Sequence, residues 1–264
     1  MATAVFFHAH PDDEAIATGG TMALLAEAGH RVVLVTATKG EHGEVPDGFL
    51  DEGEQLWERR QREVAAAAAA LGVARFEFLG YTDSGMIGTP ENDAPESFWQ
   101  ADVDEAAERL AQILREESAD VLTAYDENGN YGHPDHIQVH RVGVRAAELA
   151  GTRKVYESTI DRDAIRALMR RGAELGLTDL PDTDGVDEFS MGMPGEVITT
   201  RVDVGAVIHK KRAAMEAHRS QIAETSFFLS MPKEAFDVVW GTEWYILRGA
   251  PAGTLETDLL EGLV

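Results

Sequence analysis

The chain has 264 residues, with 23 Lys and Arg against 47 Asp and Glu, for a formal net charge of −24. Such acidity argues against unassisted binding to nucleic acid or anionic lipid, which require a basic surface, and weakly favours neutral or cationic small substrates. Cysteine is absent, so disulfides, thiolate nucleophiles and cysteine-ligated metals are excluded, and any metal must rest on imidazole and carboxylate.

The 44% hydrophobic share suits a folded chain, and the length fits one large α/β domain or a main domain with a small appendage. No run approaches the roughly 18 apolar residues that cross a bilayer. The start, Met1 to His8, carries no basic leader and does not read as a signal peptide; a cytoplasmic location is the default expectation.

In chain order, Ala4–Phe7 and Arg31–Thr36 read as buried strands, followed by Arg75–Leu79 and Asp120–Tyr125. Helical patterns alternate with them over Glu14–Glu27, Glu54–Leu71, Val103–Glu117 and Ile137–Leu149. The second of these contains the alanine run Ala65–Ala70, favoured in helices because alanine loses no side-chain entropy there. Beyond residue 150 the pattern loosens. Lys154–Ile160 reads as a strand, Asp163–Leu175 as a helix and Thr178–Gly195 as a loop; Glu196–Val204 is a strand, Ala206–Ile222 a helix and Glu243–Arg248 a last strand. Strand–helix alternation implies a parallel sheet covered on both faces, with ligands beyond the carboxyl ends of the strands. Tyr81–Pro95, with its Gly, Pro and Asp, reads as a loop at that edge.

The first strand runs into His8-Ala9-His10-Pro11-Asp12-Asp13-Glu14, where a dinucleotide-binding protein would carry Gly-x-Gly-x-x-Gly. Imidazole and adjacent carboxylates stand there instead. A helix start accounts for Pro11 and one acid, but not for two histidines beside them. The fourth strand runs into a second polar turn, Tyr125 to His136. His136 and His140 lie four apart, so a paired-histidine site on one helix is a rival arrangement. In a doubly wound sheet the first and fourth strands are commonly neighbours at the crevice where strand order reverses. That topology would bring together His10, Asp13 and His136, two imidazoles and a carboxylate with a position left open, as catalytic zinc requires.

The motifs Ala9-His10-Pro11-Asp12-Asp13-Glu14 and Tyr131-Gly132-His133-Pro134-Asp135-His136 resemble the PIG-L/LmbE family of zinc-dependent N-acetylglucosaminyl deacetylases, which includes the mycothiol-pathway deacetylase and the mycothiol conjugate amidase. Weaker matches are Gly40-Glu41-His42-Gly43-Glu44, Arg60 with Glu63, Asp83-Ser84-Gly85-Met86 and Ala217-His218-Arg219-Ser220-Gln221. Together they span about residues 4–221. The resemblance implies that His10, Asp13 and His136 bind zinc, with ferrous iron as the alternative ion in the cell. It makes Asp12 the general base and His133 the general acid or electrostatic partner, oriented by Asp135, while Tyr131 polarises the amide carbonyl. Glu44, Arg60, Asp83 and His218 correspond to substrate-pocket positions; His8 and His140 are read as packing or supporting residues. The four tryptophans, Trp57, Trp99, Trp240 and Trp244, are read as core or loop anchors.

The expected fold is α/β, a Rossmann-like three-layer αβα of LmbE type with a mostly parallel sheet. It forms one domain over 1–264, with a core over about 1–150 and a C-terminal α/β part over about 151–264 closing over the site. The expected function is removal of the N-acetyl group from an N-acetylglucosamine-type amino sugar or glycoconjugate. The neighbouring alternative is an amidase cleaving a mycothiol S-conjugate, and the alternative of another class is a non-catalytic metal- or nucleotide-binding module. The expected partner is a small amino sugar, not nucleic acid or a membrane, with self-association left open.

Overall fold

All six residues of the first strand, β1 (Thr3–His8), are buried, and they alternate between two cores. Ala4 and Phe6 pack with Met22, Leu71 and Met215, whereas Val5 and Phe7 pack with Leu110, Val139 and Val142. A strand buried on both sides must lie inside a sheet that helices cover on both faces. The computed structural model describes residues 1–172 and 191–263, and among them the sheet has seven strands. These are β1, β2 (Arg31–Thr36), β3 (Arg75–Phe78), β4 (Val121–Tyr125), β5 (Lys154–Thr159), β6 (Thr200–Asp203) and β7 (Thr242–Leu247), in the order β3-β2-β1-β4-β5-β7-β6. Only β7 runs antiparallel to its neighbours. The expected α/β class with a mostly parallel sheet is therefore present.

One face carries α1 (Asp13–Ala17), α2 (Gly19–Glu27), α3 (Leu56–Leu71) and α8 (Ile208–Ala217); the other carries α4 (Val103–Glu116) and α6 (Pro134–Ala150). Short helices α5 (Gly129–Gly132), α7 (Arg162–Arg170), α9 (Phe227–Ser230) and α10 (Lys233–Trp240) complete the described elements. The chain leaves β1 toward β2 on one side and leaves β4 toward β5 on the other, while β1 and β4 pair directly. The crevice is thus where strand order reverses. Among the described residues no helix is long and apolar enough to cross a membrane.

Several boundaries differ from the sequence expectation. The first helix breaks at Thr18, whose backbone (φ −137°, ψ 5°) separates α1 from α2. Gly20 faces Val204 so closely that a Cβ would collide with its side chain, so a bare backbone is needed there. The strand expected over Glu196–Val204 opens with a 3-10 turn at Gly195–Val197, and only Thr200–Asp203 pairs with β7. The helix expected over Ala206–Ile222 ends at Ala217, because His218 leaves helical geometry (φ −86°, ψ 51°). The end of the helix expected over Asp163–Leu175, and most of the loop expected over Thr178–Gly195, lie outside the described residues.

A buried carboxylate ties the late strands to the early helices. Glu243, on β7, accepts the Gly20 and Thr21 N–H groups at 2.8 Å each and the Thr21 hydroxyl at 2.6 Å. Lys211 Nζ on α8 donates to it at 2.6 Å and the Tyr245 hydroxyl at 3.1 Å. Lys211 and Glu243 are only 1% and 2% exposed. Removing one partner of such a pair strands a charge in the interior. Glu243→Ala is expected to cost about 3–5 kcal/mol in urea unfolding. Lys211→Met is expected to cost less, because Glu243 keeps its other donors.

Candidate metal centre and active site

Two turns meet at the crevice. The first leaves β1 and carries His10, Asp12 and Asp13; the second leaves β4, passes through α5 and enters α6 with His133 as its N-cap. Asp13 Oδ2 lies 3.4 Å from His10 Nδ1 and 3.4 Å from His136 Nε2, so two imidazoles converge on one carboxylate oxygen. The same oxygen accepts the His10 N–H at 2.9 Å. One ligand atom from each of these three side chains lies within 4.8 Å of the others. His136 is 2% exposed, and neither of its ring nitrogens has a hydrogen-bond partner. An imidazole buried without a partner loses its solvation for nothing in return, so it marks a position built for a ligand. Two imidazoles with one carboxylate are a donor set suited to a divalent transition ion. His10, Asp13 and His136 therefore fit a metal.

The surroundings hold this trio in charge and orientation. His10 Nε2 faces Asp135 Oδ2 at 3.1 Å and Asp83 Oδ1 at 3.5 Å. Burial alone would lower the His10 pKa, but Asp83, Asp13 and Asp135 together raise it well above its ordinary value. Asp13 shows the converse: burial favours its neutral form, yet His136 and His10 hold it well below the usual carboxylate range. His136 stacks on Tyr125, ring centroids 4.5 Å apart. The Tyr125 hydroxyl lies 2.7 Å from His8 Nδ1, and His8 Nε2 lies 2.8 Å from the Thr18 hydroxyl. Burial lowers His8 to about 4, so a neutral histidine backs the centre. His140 turns away: its Nδ1 meets the Tyr125 carbonyl at 3.0 Å, and the rival pairing of His136 with His140 around one ion is not assembled.

Asp12 adopts φ 112°, a region that side chains rarely enter. Its N–H donates to Glu14 Oε2 at 2.9 Å, and its Oδ1 lies 3.3 Å from Arg60 Nη2. Burial lifts its pKa to about 6, against the lowering pull of Arg60. Arg60, on α3, donates to the Gly40 carbonyl at 3.0 Å and to the Pro11 carbonyl. Gly40 sits at φ 66°, and a Cβ there would strike the guanidinium; glycine lets the arginine reach the turn.

His133 accepts the Asp135 main-chain N–H on Nδ1 at 3.1 Å. The expectation that the Asp135 side chain orients His133 is corrected here. Both carboxylate oxygens of Asp135 serve other partners, taking the Ser84 N–H at 2.9 Å, the Ser84 hydroxyl and the His10 ring. With Nδ1 accepting, the neutral ring of His133 carries its proton on Nε2. Burial, then His10 and His136, bring His133 down to about 4. Tyr131 stands 49% exposed at the rim, its ring 4.9 Å from that of His136; burial of its hydroxyl end raises its pKa. Asp126 sets this rim by accepting the Asn128 and Asn130 N–H groups at 3.0 and 3.1 Å.

Of the remaining expected pocket residues only Asp83 joins the centre, its ligand atom within 4.8 Å of those of His10 and His133. Asp83 is 4% exposed and faces His10, accepting the His42 and Gly85 N–H groups at 3.2 and 2.8 Å. Glu44 lies on the surface, its carbonyl accepting from the Gln221 side chain at 3.0 Å. Arg60 is 3% exposed and serves the turn that carries Asp12. His218 has no exposed surface and sits 2.5 Å from Glu14 Oε1. Direct contact between His218 and a substrate is thereby corrected: Glu14 fills the space between it and the turn. Sequence reasoning missed Ser84, Tyr125 and Glu14 as supports. Glu14 in the first turn of a helix reads as ordinary dipole complement, and only its burial reveals another task.

Asp135→Asn is expected to weaken divalent-metal affinity about 10–100-fold, the usual effect of losing a supporting hydrogen bond behind a ligating histidine. His136→Ala weakens it further, and His140→Ala leaves it unchanged; competition with a chromogenic chelator measures all three.

The chain is similar to several known proteins. The PIG-L family profile, described as GlcNAc-PI de-N-acetylase, matches residues 5–147. A relative from Acidothermus cellulolyticus, named 1D-myo-inositol 2-acetamido-2-deoxy-alpha-D-glucopyranoside deacetylase, is 47% identical over 275 residues, covering 97% of this chain and 93% of the relative. One of the same name from Thermobifida fusca is 42% identical over 278 residues, covering 96% of each. Among solved structures, N,N'-diacetylchitobiose deacetylase from Pyrococcus horikoshii superposes with a TM-score of 0.56 at 20% identity, covering 93% of this chain and 83% of that one; this likeness bears on the fold.

Proposed function

The chain belongs to the PIG-L family, and from that premise we propose that it is a metal-dependent hydrolase removing the N-acetyl group from N-acetylglucosamine linked to inositol. The observation that carries this reading is the trio His10, Asp13 and His136, its two histidines buried, with the carboxylate of Asp12 beside it. The names and identities of the relatives support the sugar–inositol substrate, and the nitrogen and oxygen donors support zinc.

Amide hydrolysis needs a nucleophile, a stabilised acyl oxygen and a protonated leaving amine. An ion held by His10, Asp13 and His136 would supply Lewis acidity at the acyl oxygen and acidity to an adjacent water. Asp12 takes the proton from that water as its oxygen adds to the acetyl carbon. His133 Nε2–H donates to the acyl oxygen as negative charge gathers there, because its Nδ1 is engaged by the main chain. Tyr131, with a phenol held protonated, adds a second donor from the rim. When the C–N bond breaks, Asp12 returns the proton to the departing nitrogen, leaving a free amine and acetic acid, which loses its own proton to solvent as acetate. His133 is thus the electrostatic partner, and Asp12 handles the proton in both directions.

Asp12→Asn is expected to retain metal and to lower acetate release from N-acetylglucosaminyl-inositol about 10²–10⁴-fold, the range of a lost general base. Wild-type protein is expected to prefer that substrate to a mycothiol S-conjugate in a side-by-side assay. Faster cleavage of the conjugate would reassign the chain to the amidase reading.

A further inference from the structure

Two buried ionisable side chains beside the catalytic turn have no part in this chemistry. Glu14 and His218 each expose no surface. Burying such a pair is costly unless its hydrogen bonds are well met, and this pair is connected to one place. Glu14 Oε1 lies 2.5 Å from His218 Nε2, and Glu14 Oε2 accepts the Asp12 N–H at 2.9 Å.

Asp12 is one of three non-glycine residues at positive φ among the described residues. A backbone held in such a region is strained and persists only where its surroundings over-determine it. Three groups do so. Arg60 binds the Pro11 carbonyl before Asp12. The Ala15 and Ile16 N–H groups donate to the Asp12 carbonyl at 3.0 and 3.2 Å. The Asp12 N–H itself has only Glu14, and Glu14 has His218 behind it.

His218 is itself anchored. It ends α8, and two residues later Ser220 donates its N–H and hydroxyl to Glu63 on α3 at 2.9 and 2.6 Å. The ring is therefore presented to Glu14 from a fixed frame, one side of which, α8 to Ser220, lies beyond the residues 5–147 that the family profile matches.

We propose that Glu14 and His218 are positioning residues for the reaction: the pair clamps the Asp12 main chain in its strained conformation and so aims the Asp12 carboxylate into the cleft. This rests on the reading of Asp12 as general base. A pair serving only to glue α8 to the turn would affect stability and leave turnover alone, whereas a clamp on the base affects kcat and spares substrate and metal affinity.

The test compares wild type with His218→Leu, which fills the space without a donor, and His218→Gln, whose amide nitrogen can stand near the former Nε2. Acetate release from N-acetylglucosaminyl-inositol, chelator competition and urea unfolding are measured on each. His218→Leu is expected to lower kcat about 100-fold, the scale of a reacting group misplaced by about 1 Å. KM and metal affinity stay within about 3-fold of wild type, and His218→Gln recovers kcat to within about 10-fold. If His218→Leu fails to fold, His218→Asn, whose shorter amide falls short of Glu14, replaces it under the same criteria. Wild-type kcat in the donor-less variant, a matching loss of metal affinity, or no recovery with folded His218→Gln overturns the proposal while leaving the deacetylase reading intact. A wild-type protein that releases no acetate overturns both.

Discussion

Everything at the crevice depends on one carboxylate oxygen, Asp13 Oδ2, facing two buried imidazoles from segments more than a hundred residues apart. Neither histidine could be buried for its own sake. Among the described residues neither ring nitrogen of His136 has a hydrogen-bond partner, and His10 is surrounded by acids. The desolvation of these groups is a standing debt that only a cation can offset well. The fold meets the geometric half of the requirement by pairing β1 directly with β4, so that the turns leaving them open onto the same crevice. Burial and charge then settle the protonation states around the trio, holding Asp13 ionised and His8 neutral.

Much of this was legible from residue order. Alternating β-branched runs and helical patterns imply a mostly parallel sheet, and the reversal rule for such sheets places the first and fourth strands together. The trio His10, Asp13 and His136 follows from those two facts. What was not legible depends on contacts that carry no local pattern. Glu14 and His218 are 204 residues apart, and an acid in a helical first turn looks unremarkable until it proves to be sealed from solvent. Arg60 shares the inward face of α3 with Leu56, Val64, Ala67 and Leu71, but that spacing does not tell which distant carbonyls its guanidinium meets. Asp135 reads as a partner for His133 at two residues' distance, yet the N-cap geometry gives that task to its N–H and frees its carboxylate for Ser84 and His10.

The supports of the turn that carries Asp12 come from distant parts of the chain. Arg60 and Glu63 lie on α3, between β2 and β3, while His218, Ser220 and Glu243 belong to the last fifth of the sequence. The residues proposed to meet the substrate and those that hold them still are thus largely different sets. The first set sits in two short motifs, and the second is spread over α3, α8 and β7. A comparison confined to the motifs would find the chemistry and overlook the frame.

The late arrival of Glu243 has a consequence for how the protein comes into being. As the polypeptide emerges from the ribosome, α2 is made more than two hundred residues before the carboxylate that caps its Gly20 and Thr21 N–H groups. Until β7 slots between β5 and β6, those amides and the ammonium of Lys211 lack their shared acceptor. The turn just upstream of α2 therefore gains this anchor only after β7 has been made, long after both signature motifs.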